Sequence, residues 1–418
     1  MNPAMPSDAK PKLTPKLRFP DFRKEQGWQE KALMEICTIN PASEALPESF
    51  FYIDLESVVA GKLTAKKRIS RVGAPSRAQR VLKKGDVIYQ IVRPYQKNNY
   101  FFDFDRNDDY VASTGYAQLR AHKCEQFLYQ IIHTDAFVGQ VIANCTGSSY
   151  PAINSSDLAE INLPIPDNVQ EQQKIAECLG TLDELMGAES QKLDALKAHK
   201  KGLMQQLFPR AGETLPRLRF PEFQNAPEWV DEPLGELGEI ITGKTPSTKE
   251  PDLWGGDILF ITPTDISEDD KYQHTTARTV VETKSTKVLP AGSIVYTCIA
   301  SIGKMALTVH PSVTNQQINA VVPNEKTLGE FVYYALLNLT PWIKTIPASS
   351  TLAIINKTEF SKIGILRPED KEEQQRIADC LSALDELIAA QSAKLTALQT
   401  HKQGLMQQLF PSPSEAAA

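Results

Sequence analysis

Between residues 61 and 98 the chain carries eleven lysines and arginines and a single acid, Asp86, for a net of +10 in a protein whose overall charge is −6. The cations are Lys62, Lys66, Lys67, Arg68, Arg71, Arg77, Arg80, Lys83 and Lys84, then Arg93 and Lys97, with Tyr95 and Gln96 between the last two. Ammonium and guanidinium groups neutralise phosphates and release their counterions, and arginine also takes guanine through paired hydrogen bonds. Gln96, Asn98 and Asn99 are amides of the kind that pair with adenine. The residue types together predict a polyanion surface with base-reading capacity. The bland alternative is a solvated charged loop, which Gly73, Pro75 and Ser76 support locally.

The second half offers different groups. Residues 210–372 hold 16 basic and 21 acidic side chains, net −5, so no comparable patch exists there. Instead, polar turns bound strand-like runs: 242–248 with Lys244, Thr245 and Ser247; Thr262 to Asp265; Ser301 to Lys304; Asn315, Gln316 and Gln317; and Ser349 to Thr351. Such loops can contact bases, although ordinary turn chemistry explains any one of them equally well.

Catalytic constellations are missing. Residues 238–245 match GxxxxGK[ST] letter for letter, but a phosphate cradle needs a helix immediately after it, and Pro246, Pro251 and Gly255-Gly256 forbid one. Pro251-Asp252 with Glu282-Thr283-Lys284 is a loose nuclease-like match of the kind that arises by chance. Asn40-Pro41-Ala42-Ser43 lacks the second proline and the stacking aromatic of an amino-methyltransferase. The six histidines are scattered, and the six cysteines form no CxxC pair, which predicts a reduced cytoplasmic protein without zinc; Cys178 and Cys380 are expected as buried thiols. No apolar run reaches membrane-span length, and Met1–Pro15 is too polar for a signal peptide.

The elements that must position these groups are written twice. Leu17-Arg18-Phe19-Pro20-Asp21-Phe22 with Trp28 returns 201 residues later as Leu218-Arg219-Phe220-Pro221-Glu222-Phe223 with Trp229. Residues 171–209 return 202 later as 373–411, with 27 of 39 positions identical. This second repeat is free of proline up to its last residue. It carries a heptad stripe through Ile175, Leu179, Leu182, Met186, Leu193, Leu196, Leu203 and Leu207, and through Ile377, Leu381, Leu384, Ile388, Leu395, Leu398, Leu405 and Leu409. Polar residues interrupt the stripe at Glu189 and Lys200 and again at Gln391 and Lys402. Each copy predicts a helix about 57 Å long, weakened near its end by Gly202 or Gly404. A narrow stripe needs a partner, and the other copy, antiparallel, is the natural one.

Between head and tail the two centres look unrelated. Each begins with a short amphipathic segment (Leu33, Ile36, Ile39; Leu234, Leu237, Ile240), continues as strands, and ends in a helical segment. The predicted strands are 86–93, 110–113 and 116–120 in the first centre and 257–262, 293–299, 305–309 and 318–322 in the second, with helical segments at 125–143 and 328–344. The expected architecture is α+β: two α/β recognition domains, each with one twisted sheet, separated by two long antiparallel coiled-coil helices, with pseudo-two-fold symmetry from the duplication. The expected divisions are a polar tail at 1–14, a first domain at 15–170, a helix at 171–209, a second domain at 210–372, a second helix at 373–411 and a tail at 412–418.

This frame resembles the specificity subunit of type I restriction-modification enzymes. The doubled Leu-Arg-Phe-Pro-(Asp/Glu)-Phe…Trp head and the doubled tail ending Gly-Leu-Met-Gln-Gln-Leu-Phe-Pro carry the resemblance. Gly243–Ser247, Trp254–Ile258 and Ala300–Lys304 add to it, while the first centre matches less sharply, through Gly85–Ile88, Arg93-Pro94 and Ser113–Gly115. The resemblance implies two target recognition domains, each reading half of a split, asymmetric double-stranded DNA site. It implies helices that set the unread spacer and dock two methyltransferase subunits, with motor-nuclease subunits completing the restriction complex. It implies no catalysis or cofactor in this chain; S-adenosylmethionine, ATP and Mg are expected in the partner subunits. The rival readings are a coiled-coil adaptor that binds no DNA and a stand-alone nuclease or methylase.

Overall fold

The computed structural model describes residues 13–42, 45–104, 108–284, 286–346 and 354–411. Ser43, the 349–351 turn and nearly all of both expected tails lie outside the described residues. The chain divides into two units, 1–188 with 396–418, and 189–395. The boundary falls inside both long helices, Val169–Leu207 and Lys371–Leu409, so each unit holds the start of one and the end of the other.

The two units share a strand plan that their sequences conceal. In the first, Gln29–Ala32 pairs antiparallel with Asn162–Ile165, the strand leading into the long helix. In the second, Val230–Pro233 pairs with Gly364–Arg367 in the same way. One turn of helix (Leu33–Ile36; Leu234–Leu237) then feeds the edge strand of a larger sheet. That sheet runs Cys37–Ile39, Tyr116–Ala121, Val87–Gln90, Tyr100–Phe101 in the first unit, and Gly238–Thr242, Ile318–Pro323, Ile294–Thr297, Met305–Thr308, Tyr272–Gln273 in the second. Each unit has another sheet as well, four-stranded in the first and three-stranded in the second, built on one parallel pair: Ser49–Ile53 with Tyr110–Ser113, and Trp254–Ile261 with Ser312–Thr314. The expectation of a single sheet per domain is therefore corrected: each unit holds a two-stranded pairing and two further sheets, and the first adds the short pair Val58–Val59 with Lys62–Leu63.

Burial explains why this plan is hard to read. Val87, Ile88 and Tyr89 are all fully buried, as are Ile294, Val295 and Tyr296, because each central strand is covered on both faces and shows no alternation. The 86–93 strand ends at Gln90, and Arg93 turns left-handed. The 125–143 helix is two, Glu125–Ile131 and Asp135–Ala143, with Thr134 capping the second through Phe137 N–H. Cys178 and Cys380 are only partly buried, and all six cysteines are free thiols.

The repeated head clamps the repeated helix inside each unit. Arg18 Nε and Nη2 each donate to the Glu171 carboxylate at 2.7 Å, and Trp28 Nε1 donates to it at 3.2 Å. Arg219 and Trp229 do the same to Glu373, at 2.7 and 3.2 Å. Trp28 packs edge-on against Phe127 and against Phe410, from the end of the other helix, and Trp229 likewise packs on Phe331 and Phe208. Leu17 N–H donates to Gln408 O and Leu218 N–H to Gln206 O, both at 2.9 Å. Both helices continue through Gly202 and Gly404.

The heptad stripe is the covered face of each helix. Leu179 and Leu381 are fully buried and Ile388 nearly so, while Leu182, Met186, Leu193, Leu196, Leu384, Leu395 and Leu398 are buried or partly buried. The polar interruptions bond across the helix pair within each unit. Lys402 Nζ donates to Asp183 at 2.6 Å in the first, and Lys200 donates to Asp385 in the second. Helix positions that rise on one side as they fall on the other, as Glu189 with Gln391 and Lys200 with Asp385, make the packing antiparallel. Each aspartate also bonds to the globular part of its unit, accepting from Gln130 Nε2 at 2.9 Å or from Tyr334 Oη at 2.6 Å.

Candidate nucleic-acid interface

In the first unit the cations surround the sheet built on Ser49–Ile53 and Tyr110–Ser113. Lys67 and Arg68 lie on its outer strand Lys67–Ser70, with Lys66 and Arg71 at the ends of that strand. Arg77 and Arg80 belong to the opposite edge, at Ala78–Val81, and Lys62 lies in the short strand Lys62–Leu63. Lys62, Lys66, Lys67, Arg68, Arg71, Arg77 and Lys84 are exposed, whereas Arg80 and Lys83 are partly buried. Asp86, the one acid of the stretch, is fully buried and receives Arg120 and Gln118, so it does not offset the surface charge. Other acids do: Arg68 lies 3.4 Å from Asp108, Lys84 3.4 Å from Asp103 and Lys97 3.2 Å from Asp135. These are exposed pairs of small worth that an incoming phosphate can displace. Burial also lowers the Arg80 pKa, and its Nε has no partner.

The amides fare differently. Asn99 is buried, accepting from Gln90 N–H at 2.8 Å and lying 3.2 Å from His133 Nε2. Asn98 accepts from Ala60 N–H at 3.0 Å. Gln96 is exposed, with its carbonyl taken by Gln90 Nε2 at 2.9 Å. Asn99 is thus a framework residue, and the turn Pro94–Gln96, flanked by Arg93 and Lys97 both at positive φ, presents Tyr95 and cations outward.

In the second unit Lys244, Thr245 and Ser247 line a cleft of about 800 Å³ with Thr283, Thr286, Lys287 and Lys357. Thr245 Oγ1 donates to Gln316 Oε1 at 2.7 Å, bringing two of the sequence-predicted loops together. Gly243 is required there, because a Cβ would fall 2.2–2.3 Å from Thr314 and Asn315 atoms. The P-loop pattern is a strand, Gly238–Thr242, followed by an extended loop without a helix. Thr262 and Asp265 are engaged with each other, Asp265 accepting from Thr262 N–H at 2.9 Å and Ala277 N–H at 2.8 Å. Asn315 is buried and folds onto Gln317. Ser301 and Lys304 occupy the turn after Ile294–Thr297, the counterpart of the Arg93–Lys97 turn after Val87–Gln90. Sequence reading missed Lys287, Lys357 and Arg278, the last held 3.4 Å over the Trp254 ring. The only signal for Lys287 was the Thr-Lys-Ser-Thr-Lys run, and nothing linked 278 to 254. No group of histidine, cysteine and carboxylate side chains among the described residues is arranged to hold a metal.

A duplicated frame that carries a basic surface in one unit and a threonine- and lysine-lined cleft in the other defines a scaffold with two unlike surfaces. The profile of the type I restriction modification DNA specificity domain matches residues 25–198 and again 227–400. The chain belongs to this family, and its role is DNA sequence specificity in a type I restriction-modification system. It is 27% identical to the HindI specificity subunit of Haemophilus influenzae, over 70% of this chain and 79% of that one. It is 30% identical to the EcoR124I/EcoR124II specificity subunit of Escherichia coli, over 56% and 58%. Among solved structures, the S subunit from M. genitalium superposes with a TM-score of 0.63 at 17% identity, covering 96% of this chain and 99% of that one. A chain of a type I R-M system superposes at 0.56 and 23%, covering 92% and 98%. These two share the fold.

Proposed function

We propose that each unit reads one half of a bipartite, asymmetric double-stranded DNA site, the first through the Lys62–Lys97 surface and the second through the loops around Lys244, Thr245 and Ser247. One observation carries this reading: the same strand plan on the same clamp presents a strongly basic surface in one unit and a threonine- and lysine-lined cleft in the other. Two equal readers of one sequence would not differ so; two readers of unlike half-sites would.

The long helices set the length of unread DNA and dock two methyltransferase subunits. Those partners bind S-adenosylmethionine and methylate adenine at N6, which requires a flipped base. Motor-nuclease subunits using ATP and Mg complete the restriction form. The chain itself acts in the cytoplasm as a non-catalytic subunit; no helix among the described residues is long and apolar enough to cross a membrane.

The test is a genome-wide map of N6-methyladenine in a host with the intact system and in the same host lacking this gene. Loss of one split motif with unlike halves supports the reading. An unchanged map in a host where the partner subunits are expressed refutes it.

A further inference from the structure

Among the described residues each unit has two arginines over aromatic rings. Arg68 on Phe51 and Arg376 on Phe220 also face the carboxylates of Asp108 and Glu222, whereas the Arg93 and Arg278 guanidinium groups have no hydrogen-bond acceptor among the described residues. Arg93 Cζ is 4.3 Å from the centre of the Tyr150 ring. Arg278 Cζ is 3.4 Å from the centre of the Trp254 ring. Lys84 and Lys97, like Arg68, face carboxylates.

The Trp254 ring is fixed from behind, and Arg93 is fixed at its backbone, beside an exposed Tyr150. Trp254 packs edge-on against Phe260, ring centres 5.2 Å apart, and its Nε1 donates to Ser247 O at 3.1 Å, in the loop that carries Lys244. The backbone of Arg93 is pinned by its N–H bond to Pro151 O at 2.7 Å, beside Tyr150. Arg93 also has φ of 55°, in the left-handed region that residues other than glycine and asparagine enter with strain. Ala300, at the same place in the second unit, has φ of 62°, so the turn itself demands this conformation. Glycine would satisfy the turn with least strain. In the first unit this turn lays the arginine side chain on the Tyr150 ring without an acceptor.

We infer that Arg93 and Arg278 are specificity-determining residues, each taking the O6 and N7 acceptors of a guanine, one in each half-site. The inference rests on the reading that both units contact DNA. Phosphates are served by point charges, and the exposed Lys67, Lys244 and Lys287 supply those. A base edge presents two acceptors in a fixed plane. A guanidinium held over a ring keeps its donor fork in one plane, which suits paired bonds to that edge.

The experiment uses the full chain in the complex that purifies with it, and DNA duplexes in which each base pair of the mapped half-sites is replaced in turn. Arg278→Ala is expected to lose roughly tenfold or more of the preference for guanine at one position of one half-site, with the other half-site read normally. Arg93→Ala is expected to do the converse. Each unit thereby serves as the folding control for the other. Arg→Lys at either site keeps the charge and loses the fork, so the preference should fall while the salt dependence stays. In the wild-type complex, 7-deazaguanine at the same position should reproduce the loss, and it should add nothing to the alanine variant. Uniform weakening at all positions with a shallower salt slope would make the residue a phosphate contact and overturn the inference. So would an unchanged preference, or a half-site without a G·C pair. If the wild-type complex shows no sequence-specific binding, the DNA reading itself fails, and that failure is visible before any variant is made.

Discussion

Glu189 and Gln391 occupy the same position in the two copies of the repeat, 202 residues apart, and they bond to each other: Gln391 Nε2 donates to Glu189 Oε2 at 2.5 Å and to Glu189 O at 3.0 Å. A duplicated helix packed antiparallel against its own copy must bring one position face to face with its equivalent. Identical charges there would repel, and the chain carries an acid opposite an amide, with Lys394 also on Glu189. The Gln391 and Lys394 hydrogen bonds hold the Glu189 pKa below the ordinary carboxylate range. Gln391→Glu should therefore lower the melting temperature at neutral pH by placing two carboxylates together. The deficit should shrink as pH falls through the carboxylate range and one of them protonates. Thermal unfolding of wild type and variant at both pH values decides; a deficit independent of pH would mean that packing, not charge, is at stake.

The clamp of Arg18 on Glu171 is a buried, bidentate ion pair, with Arg18 8% and Glu171 1% exposed. Removing the acid leaves a buried guanidinium without its partner, a loss of about 3–5 kcal/mol. Glu171→Ala and, in the second unit, Glu373→Ala should each cost about that much in denaturant unfolding. A loss below about 1 kcal/mol would show that Arg18 re-pairs, for instance through the Glu25 and Gln26 carbonyls that it already touches.

His133 makes the first unit acid-sensitive. Its Nδ1 lies 2.6 Å from Tyr129 O, which only a donor satisfies, so Nε2 is left to accept from Asn99 Nδ2 at 3.2 Å. Both nitrogens are used in the neutral ring, and protonation would set two donors against each other. Burial pushes the pKa down from 6.5 to about 4. A folded pKa below the unfolded one means the unfolded chain binds the proton first. Stability is full above about pH 6.5 and falls as pH drops toward about 4. His133→Asn should flatten that slope. An equally steep acid slope in the variant would assign it to carboxylates instead.

The sequence makes the repeated frame legible because heptads and head motifs are local patterns. Even the interruptions at Glu189, Lys200, Gln391 and Lys402 are visible as breaks in the stripe, although their partners, Asp183 and Asp385 among them, lie about half a chain away. The common strand plan of the two centres was not legible, since strands such as Val87–Gln90 are buried on both faces and leave no period to read. The basic surface was visible as composition, but its pairing with Asp103, Asp108 and Asp135 was not. Asn99 looked like a reader beside Asn98, and only the fold turns it inward onto Gln90 and His133.

Charge removal on the outer strand of the first unit should be read through salt. Each phosphate contact adds about 0.9 to the slope of log affinity against log salt. Lys66→Ala, Lys67→Ala and Arg68→Ala together should lower that slope by about 2, because Arg68 already shares its charge with Asp108. Half-site preference should survive. An unchanged slope would move the phosphate contacts off this strand.

Inserting four residues between Gly187 and Ala188 lengthens the first helix by about 6 Å and rotates its C-terminal portion by about 40°. Asp183 lies before the insertion and Glu189 after it. Their partners, Lys402 and Gln391, stay on an unaltered second helix, so the two cross-helix bonds can no longer form in one register. If the helices set the unread spacer, the variant should prefer a changed spacer length or lose binding to the native one, while the bases read within each half stay the same. Mapping methylated motifs in cells that carry the variant separates the outcomes. Unchanged spacer and unchanged halves together would show that the helix register does not measure DNA.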